Sequence, residues 1–446
     1  MSIVSVRFLL FAGLLLLLYY RVSGEKQWQV LLAGSVLFAG LNGSLPYIAL
    51  ALAAVWLGQK KPRFAGVSLT ALFGVLALCK VKMDSLPFGI SFFTFQAAGY
   101  LLELRRGTAE PEDNPLKLGL FLGFFPQLVQ GPISRKRELQ PLFQPHSRDP
   151  EQITAGIHRM LWGYFKKLVI AQRIAPAVAA LHQARGPGFM LLTIFYAVEI
   201  YGDFTGGIDI ALGLGQCFGI RMPENFCRPF LSRSVAEYWR RWHITLGSWM
   251  KDFVFYPLSV SAPMRRFSRF SRKHLGNHLG RRLPVWIATM ATWLVTGIWH
   301  GITPNFALWG AINGAVILIS QELEPVYAAF HRRFALQEKR WYGGFQAART
   351  FLLMNLIRVC DLFPNVAEYG NRLVTLFSSE PLPPLGLTGG DLWVLALGIG
   401  LLLVREHIRV PERLRPAAYT ALGLVILIFG KYGIGYDAGA FIYNQF

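Results

Sequence analysis

The stretch EYWRRWHITLGSWMKDF, residues 237–253, sets a glutamate, two adjacent arginines and a histidine among aromatic rings. Apolar segments lie on both sides of it. Of the 446 residues, 53% are hydrophobic. Several runs are long enough to cross a bilayer, which takes roughly 20 residues. The chain therefore reads as an all-α polytopic membrane protein, one membrane-embedded domain over residues 1–446. Charged side chains inside such a domain cost a few kcal/mol each. A cluster at Glu237, Arg240, Arg241 and His243 is then either a snorkelling helix end or the lining of a polar interior. The continuation ITLGSWMKDFVFYPL is mixed aromatic and polar rather than a clean span, which suits backbone that lines a cavity at membrane depth. On one helix Glu237 and Arg241 are spaced to pair, and Arg240 and His243 share a face.

Working outward, SAPMRRFSRFSRKHLGNHLGRR (261–282) carries seven Lys or Arg and no acid, so it is expected inside the cell. Pro284–Trp299 then runs outward and Phe306–Ser320 returns to HRRFALQEKR (331–340), again basic. Residues from about 345 to 363 go out to a loop poor in base, 392–404 come back to REHIRVPERLR (405–415), and a last span near 419–429 goes out. Each step obeys the charge rule, and the tail from about residue 433 lands outside the cytoplasm. The N-terminal half holds nine further apolar runs. Basic residues flank both ends of 64–79, so one or two segments are expected to be re-entrant or to lie along the surface. About eleven to thirteen spans are expected.

The formal charge of +20, from 45 Lys+Arg against 25 Asp+Glu, is explained by basic inside loops, and no nucleic-acid partner is expected. Cys79, Cys217, Cys227 and Cys360 are scattered and form no C-x-x-C pair, so neither a disulfide framework nor a metal site is expected. The leucine-rich N-terminus is expected to be retained as a first span. No Walker A motif, G-x-G-x-x-G or H-E-x-x-H occurs, and no bound cofactor is expected.

Polar residues within apolar runs are the informative ones. Of nine histidines, seven fall in basic, loop-like or flanking stretches. His300 ends ATWLVTGIWHG, sixteen residues beyond the basic loop, or roughly 24 Å along a helix at 1.5 Å per residue. It is either a core histidine bonded to a carbonyl or a general base, since neutral imidazole can take a proton from a hydroxyl. His243 is the other candidate. Asp203 and Asp209 bracket Gly206 and Gly207 in DFTGGIDIALGLG and form either an outside turn or the wall of a polar cavity. Arg358 and Asp361 read as a charge pair facing the interior.

EYWRRWHITLGSWMKDF followed by TGIWHG (296–301) resembles the bacterial branch of the membrane-bound O-acyltransferase (MBOAT) family. So do LPFGISFFTFQAAGYLLELRRG (86–107), LGFFPQLVQGPISR (122–135), GYFKKLVIA (163–171) and the segment 203–234, in that order, over about residues 85–310. One departure is visible: Gly207 and Ile208 stand where the family often has an aromatic and a hydroxyl residue.

The resemblance implies tilted helices and re-entrant segments around a central tunnel open to both faces of a bacterial cytoplasmic membrane. It implies an O-acyltransferase moving a small acyl group, acetyl or D-alanyl, from a cytoplasmic thioester to a hydroxyl of an exported cell-envelope polymer. The donor is acetyl-CoA or an acyl-carrier phosphopantetheine. His300 matches the family's essential histidine and His243 its second. Trp239, Arg240, Arg241, Trp299 and Asp203 are expected to bind the donor or line the tunnel, since arginine clamps phosphate well. The basic loop offers a dock for an acidic acyl-carrier protein. GAFIYNQF (439–446) resembles the aromatic ending of bacterial relatives. Its Tyr443 is either an interfacial anchor or an acyl relay to an extracytoplasmic acyltransferase or esterase-like partner. Two other readings stay open: a flippase of a lipid-linked precursor, which moves substrate without acyl transfer, and a non-catalytic scaffold, which tolerates loss of both histidines.

Overall fold

Every residue from Ile90 to Leu101 is buried, so this helix meets protein on all sides, whereas the Val6–Tyr19 helix buries only Phe8, Ala12, Leu15 and Tyr19. Its other face is leucine: Leu10, Leu14 and Leu17 stand 60–69% exposed. An uninterrupted leucine face has no partner in water and suits lipid. The computed structural model describes residues 1–82, 86–128, 130–336, 339–407 and 410–432. Among them helices are the regular elements, and the single bridge pair is Phe226 with Trp242.

The described helices do not confirm the expected eleven to thirteen spans. One helix, Pro62–Lys82, is long and apolar enough to cross a bilayer, and Pro304–Glu322 with Glu324–Phe334, bent by 54°, qualifies as a pair. Val6–Tyr19, Leu45–Lys60 and Gly389–Leu403 are apolar but shorter. The runs 188–201 and 207–220, read as separate, are joined in one 32-residue helix, Gly186–Cys217, which carries Glu199, Asp203 and Asp209.

The chain divides into two compact units. The first comprises residues 1–176, 198–224 and 386–446. In it, glycines bring two helices into backbone contact at constant antiparallel register. A side chain on Gly156 would meet the Gly213 carbonyl at 2.5 Å, and one on Gly163 the Gly206 carbonyl at 2.6 Å. Small residues allow this approach in membrane helices. A π-helical stretch, Phe165–Ala171, follows, with both lysines buried. Asp203 and Asp209 are not in a turn. They lie within one continuous helix, where Asp203 pairs with Lys167, and Asp209 bridges Lys166 at 2.5 Å and Arg159 at 3.1 Å. Gly206 serves close packing rather than a turn. A Cβ at Gly207 would collide with the buried Gln130 side chain, which accounts for glycine at the position where the chain departs from the family.

The second unit comprises residues 177–197 and 225–385. Its basic segment is a helical hairpin rather than a loop. The run Ala262–His300 breaks at Gly276 (φ 75°, ψ 170°), and the limbs lie so close that a side chain at Gly280 would meet the Arg272 backbone at 2.5 Å. The second limb continues to His300 and packs on Pro304–Glu322. There a side chain at Gly297 would strike the Phe306 carbonyl, and one at Gly310 the Trp293 carbonyl. Asn305 donates to the carbonyls of Cys360 at 3.1 Å and Phe363 at 2.7 Å, which fastens the start of that helix to the turn that follows Arg340–Arg358.

Candidate active site

The helix Val235–Arg241 starts on Ser234, whose hydroxyl accepts from the Glu237 amide. It stops at Trp242, which is extended, and His243 then turns left-handed with φ 49° and ψ 51°. His243 is the N-cap of the next helix, Ile244–Met250. Histidine and other non-glycine residues rarely hold this conformation, and where they do the surroundings over-determine it. Here Asn225, fully buried, supplies the surroundings. Its backbone carbonyl accepts from the Ile244 amide at 2.9 Å, and its side-chain oxygen accepts from the Thr245 amide at 3.1 Å and hydroxyl at 2.9 Å.

A cavity of about 510 Å³ opens between this turn and the long helix. Thr289, Thr292, Trp293, Thr296 and His300 line it from one helical face, at the i, i+3, i+4 recurrence of a helix stripe. The Thr292 and Thr296 hydroxyls donate back to carbonyls one turn earlier, so this wall is less polar than its composition. Opposite are Trp239, Trp242, His243 and the helix Ile244–Met250. Arg240, Gly247, Ser248 and Lys251 are exposed, whereas His243 and His300 are 2% and 7% exposed. The cavity thus has a cationic rim and a floor that holds the imidazoles. No carboxylate lines it among the described residues.

Both imidazoles lie against one indole. Trp299 meets His243 edge-on with centroids 5.8 Å apart and His300 at 4.7 Å. Trp309 meets His300 from another side at 5.0 Å. Trp239 packs on Trp293 at 4.7 Å and on Trp309 at 5.6 Å, so the aromatic residues form one connected frame.

Of the residues expected at the site, His300, His243, Trp239 and Arg240 line the cavity. Arg240 and His243 do so without the shared helix face expected, because the helix ends between them. Arg241 does not line it. It is turned aside into an ion pair with Glu237 at 2.6 Å, the i,i+4 partner that the spacing predicts. Trp299 stands behind the histidines instead of lining the space, and Asp203 is spent on Lys167 in the first unit. Arg358 is not simply paired with Asp361: its guanidinium lies over the Trp242 ring at 4.6 Å and near Trp309 at 6.0 Å. Tyr443 and the rest of 433–446 lie outside the described residues. Sequence reasoning missed Lys251 on the rim, the threonine stripe and Asn225. The stripe was visible as T-x-x-T-W-x-x-T-x-x-x-H from Thr289 to His300.

The profile of the membrane-bound O-acyltransferase family matches residues 69–360, well over half of the chain and all of this cavity's lining. The chain belongs to the MBOAT family. Among curated MBOAT relatives, it is 32% identical to a probable alginate O-acetylase AlgI of Azotobacter vinelandii over 241 residues, 53% of this chain and 45% of that one. It is 30% identical to a peptidoglycan O-acetyltransferase of Helicobacter pylori over 337 residues, 65% of this chain and 61% of that one. It is 28% identical to a teichoic acid D-alanyltransferase of Bacillus subtilis over 237 residues, 51% of this chain and 57% of that one. The chain spans about half the length of the curated MBOAT relatives it matches.

Proposed function

We propose that this chain is a membrane-bound O-acyltransferase that moves a small acyl group, acetyl by first choice, from a thioester to a hydroxyl of an exported cell-envelope polymer. The observation that carries the reading is the shared cavity: two buried imidazoles on its floor, two cations on its rim and no carboxylate between. The cations match the phosphates of coenzyme A or of a carrier-borne phosphopantetheine. The apolar walls match its uncharged arm. Acyl transfer needs a base for the hydroxyl and a donor for the tetrahedral oxyanion. His300 takes the hydroxyl proton as the oxygen attacks the thioester carbonyl. His243 donates to the oxyanion. The C–S bond then breaks, and the thiolate leaves with the proton returned from His300.

In this reading the protein sits in the bacterial cytoplasmic membrane, with a multi-pass arrangement and the donor entering from the basic side. The hairpin of seven Lys/Arg at 261–282 is suited to an acidic carrier protein. The acceptor arrives from outside, directly or through Tyr443 and an extracytoplasmic partner. Transport of a lipid-linked precursor predicts substrate movement with no acyl transfer, and nothing in the cavity favours it. His300→Ala is expected to abolish acyl transfer, by about 10²-fold or more for loss of a general base, while the protein still inserts in membranes. Full activity in that variant overturns the assignment.

A further inference from the structure

Arg358 is 5% exposed and does not line the cavity. Burying a guanidinium costs several kcal/mol, and an apolar side chain of similar volume would fill such a slot at less cost. The reason for a cation lies in what flanks it. Trp242 directly precedes His243 in the chain and lines the cavity. Trp309 meets the His300 ring at 5.0 Å. The guanidinium lies over the first indole at 4.6 Å and near the second at 6.0 Å. On its remaining faces Trp242 is enclosed by Tyr238, stacked at 5.7 Å, Phe230, stacked at 6.2 Å, and Phe226, edge-on at 5.0 Å. Polar groups near Arg358 include the Tyr238 hydroxyl, the His243 ring and Asp361, which is itself bonded by Tyr196.

We propose that Arg358 is a positioning residue: its positive charge, attracted to the faces of Trp242 and Trp309, holds together the indole that directly precedes His243 in the chain and the indole packed on the His300 ring. Cation–π attraction of this kind strengthens where water is excluded. The inference rests on the acyl-transfer reading of the two histidines, and it asks the arginine for its charge rather than its bulk. Arg358 acts through the indoles and touches no reacting atom.

The test compares Arg358→Lys, which keeps charge, with Arg358→Met and Arg358→Gln, which keep volume without it. Each is measured as full-length protein in native membranes with an acyl-CoA thioester and the polymer acceptor. Without the charge, kcat is expected to fall about 30-fold or more while donor KM stays within about threefold, the signature of lost alignment rather than lost binding. Arg358→Lys should recover at least about a tenth of wild-type kcat. A kcat for Met or Gln equal to or above that for Lys overturns the proposal, as does a loss confined to KM. If neither neutral variant reaches the membrane while Arg358→Lys does, the charge serves folding and the proposal is again overturned. His300→Ala, run beside them, separates the two claims. Activity in His300→Ala removes the acyl-transfer reading. Its inactivity together with a fully active Arg358→Met removes only this inference.

Discussion

A left-handed conformation at a residue other than glycine costs about 1–3 kcal/mol, and at His243 that cost is met by Asn225 from eighteen positions upstream. Asn225→Ala removes the acceptor of the Thr245 amide and hydroxyl but leaves the backbone bond to Ile244. The expected loss of stability is about 1–3 kcal/mol, the cost of a buried donor without its acceptor. Turnover should fall further than donor binding, because His243 is turned away from its place while the rim cations stay. Equal losses in kcat and donor affinity, read together with thermal midpoints in detergent, would show that Asn225 supports the fold and not the histidine. Among the cavity-lining residues, His243, His300 and Arg240 were legible in the sequence because a titratable or charged group among apolar residues stands out, whereas Trp239 came only with the family resemblance. Asn225 was not legible, since its role depends on where the chain returns. Arg241 and Asp203 do not line this cavity: Arg241 is held by Glu237, the partner that its spacing predicts, and Asp203 by Lys167 in the first unit, a pairing that depends on where the neighbouring helix lies.

Elements are placed here by backbone contact, and that puts the cavity wall under the control of residues that never line it. Gly310 abuts the Trp293 carbonyl, so a branched side chain there must push the helices Ala262–His300 and Pro304–Glu322 apart. Overpacking costs about 1–3 kcal/mol. At this seam it also shifts Trp293 and Trp309, which frame His300. Gly310→Val is therefore expected to lower acyl transfer about tenfold or more, since small displacements of a reacting group are expensive. Gly314→Ala one turn on meets only the flexible end of Met290 and the Trp293 side chain at 3.1–3.4 Å and should be nearly silent. Equal effects of the two on transfer would count against the seam as the element that sets His300. Glycine pairs in the first unit teach the same lesson in reverse. Gly206 and Gly207 between two carboxylates read either as an outside turn, since adjacent glycines usually punctuate chains, or as the wall of a polar cavity. Their use inside a helix, against Gly163 and Gln130, appears only once the neighbouring helix is in place.

At the scale of the molecule, helix class and membrane character were readable from composition, and the motifs over 85–310 carried the family. The number of spans is not confirmed, because hydropathy registers apolar runs, while by length and composition one described helix, together with one bent pair of helices, is long enough to cross. If the cationic rim takes the thioester donor, as proposed above, the further question is how a polymer outside the cell would obtain the acyl group. A phenol answers it on chemical grounds. Thiols ionise near pH 8.5 and phenols near 10, so the leaving groups are close in strength and an aryl ester keeps most of a thioester's activation. In the proposed relay the Tyr443 phenol loses its proton to His300, its oxygen takes the acyl group as the C–S bond breaks, and an extracytoplasmic partner then passes that group to the polymer. Mass spectrometry of the peptide holding 439–446, after incubation with donor and without acceptor, is expected to show one acyl adduct on Tyr443 that disappears in His300→Ala. Tyr443→Phe should then stop acylation of the polymer while donor affinity stays at the wild-type value. Wild-type polymer acylation by Tyr443→Phe, or an adduct absent under turnover, would eliminate the relay and leave direct transfer from the thioester, with His300 as its base.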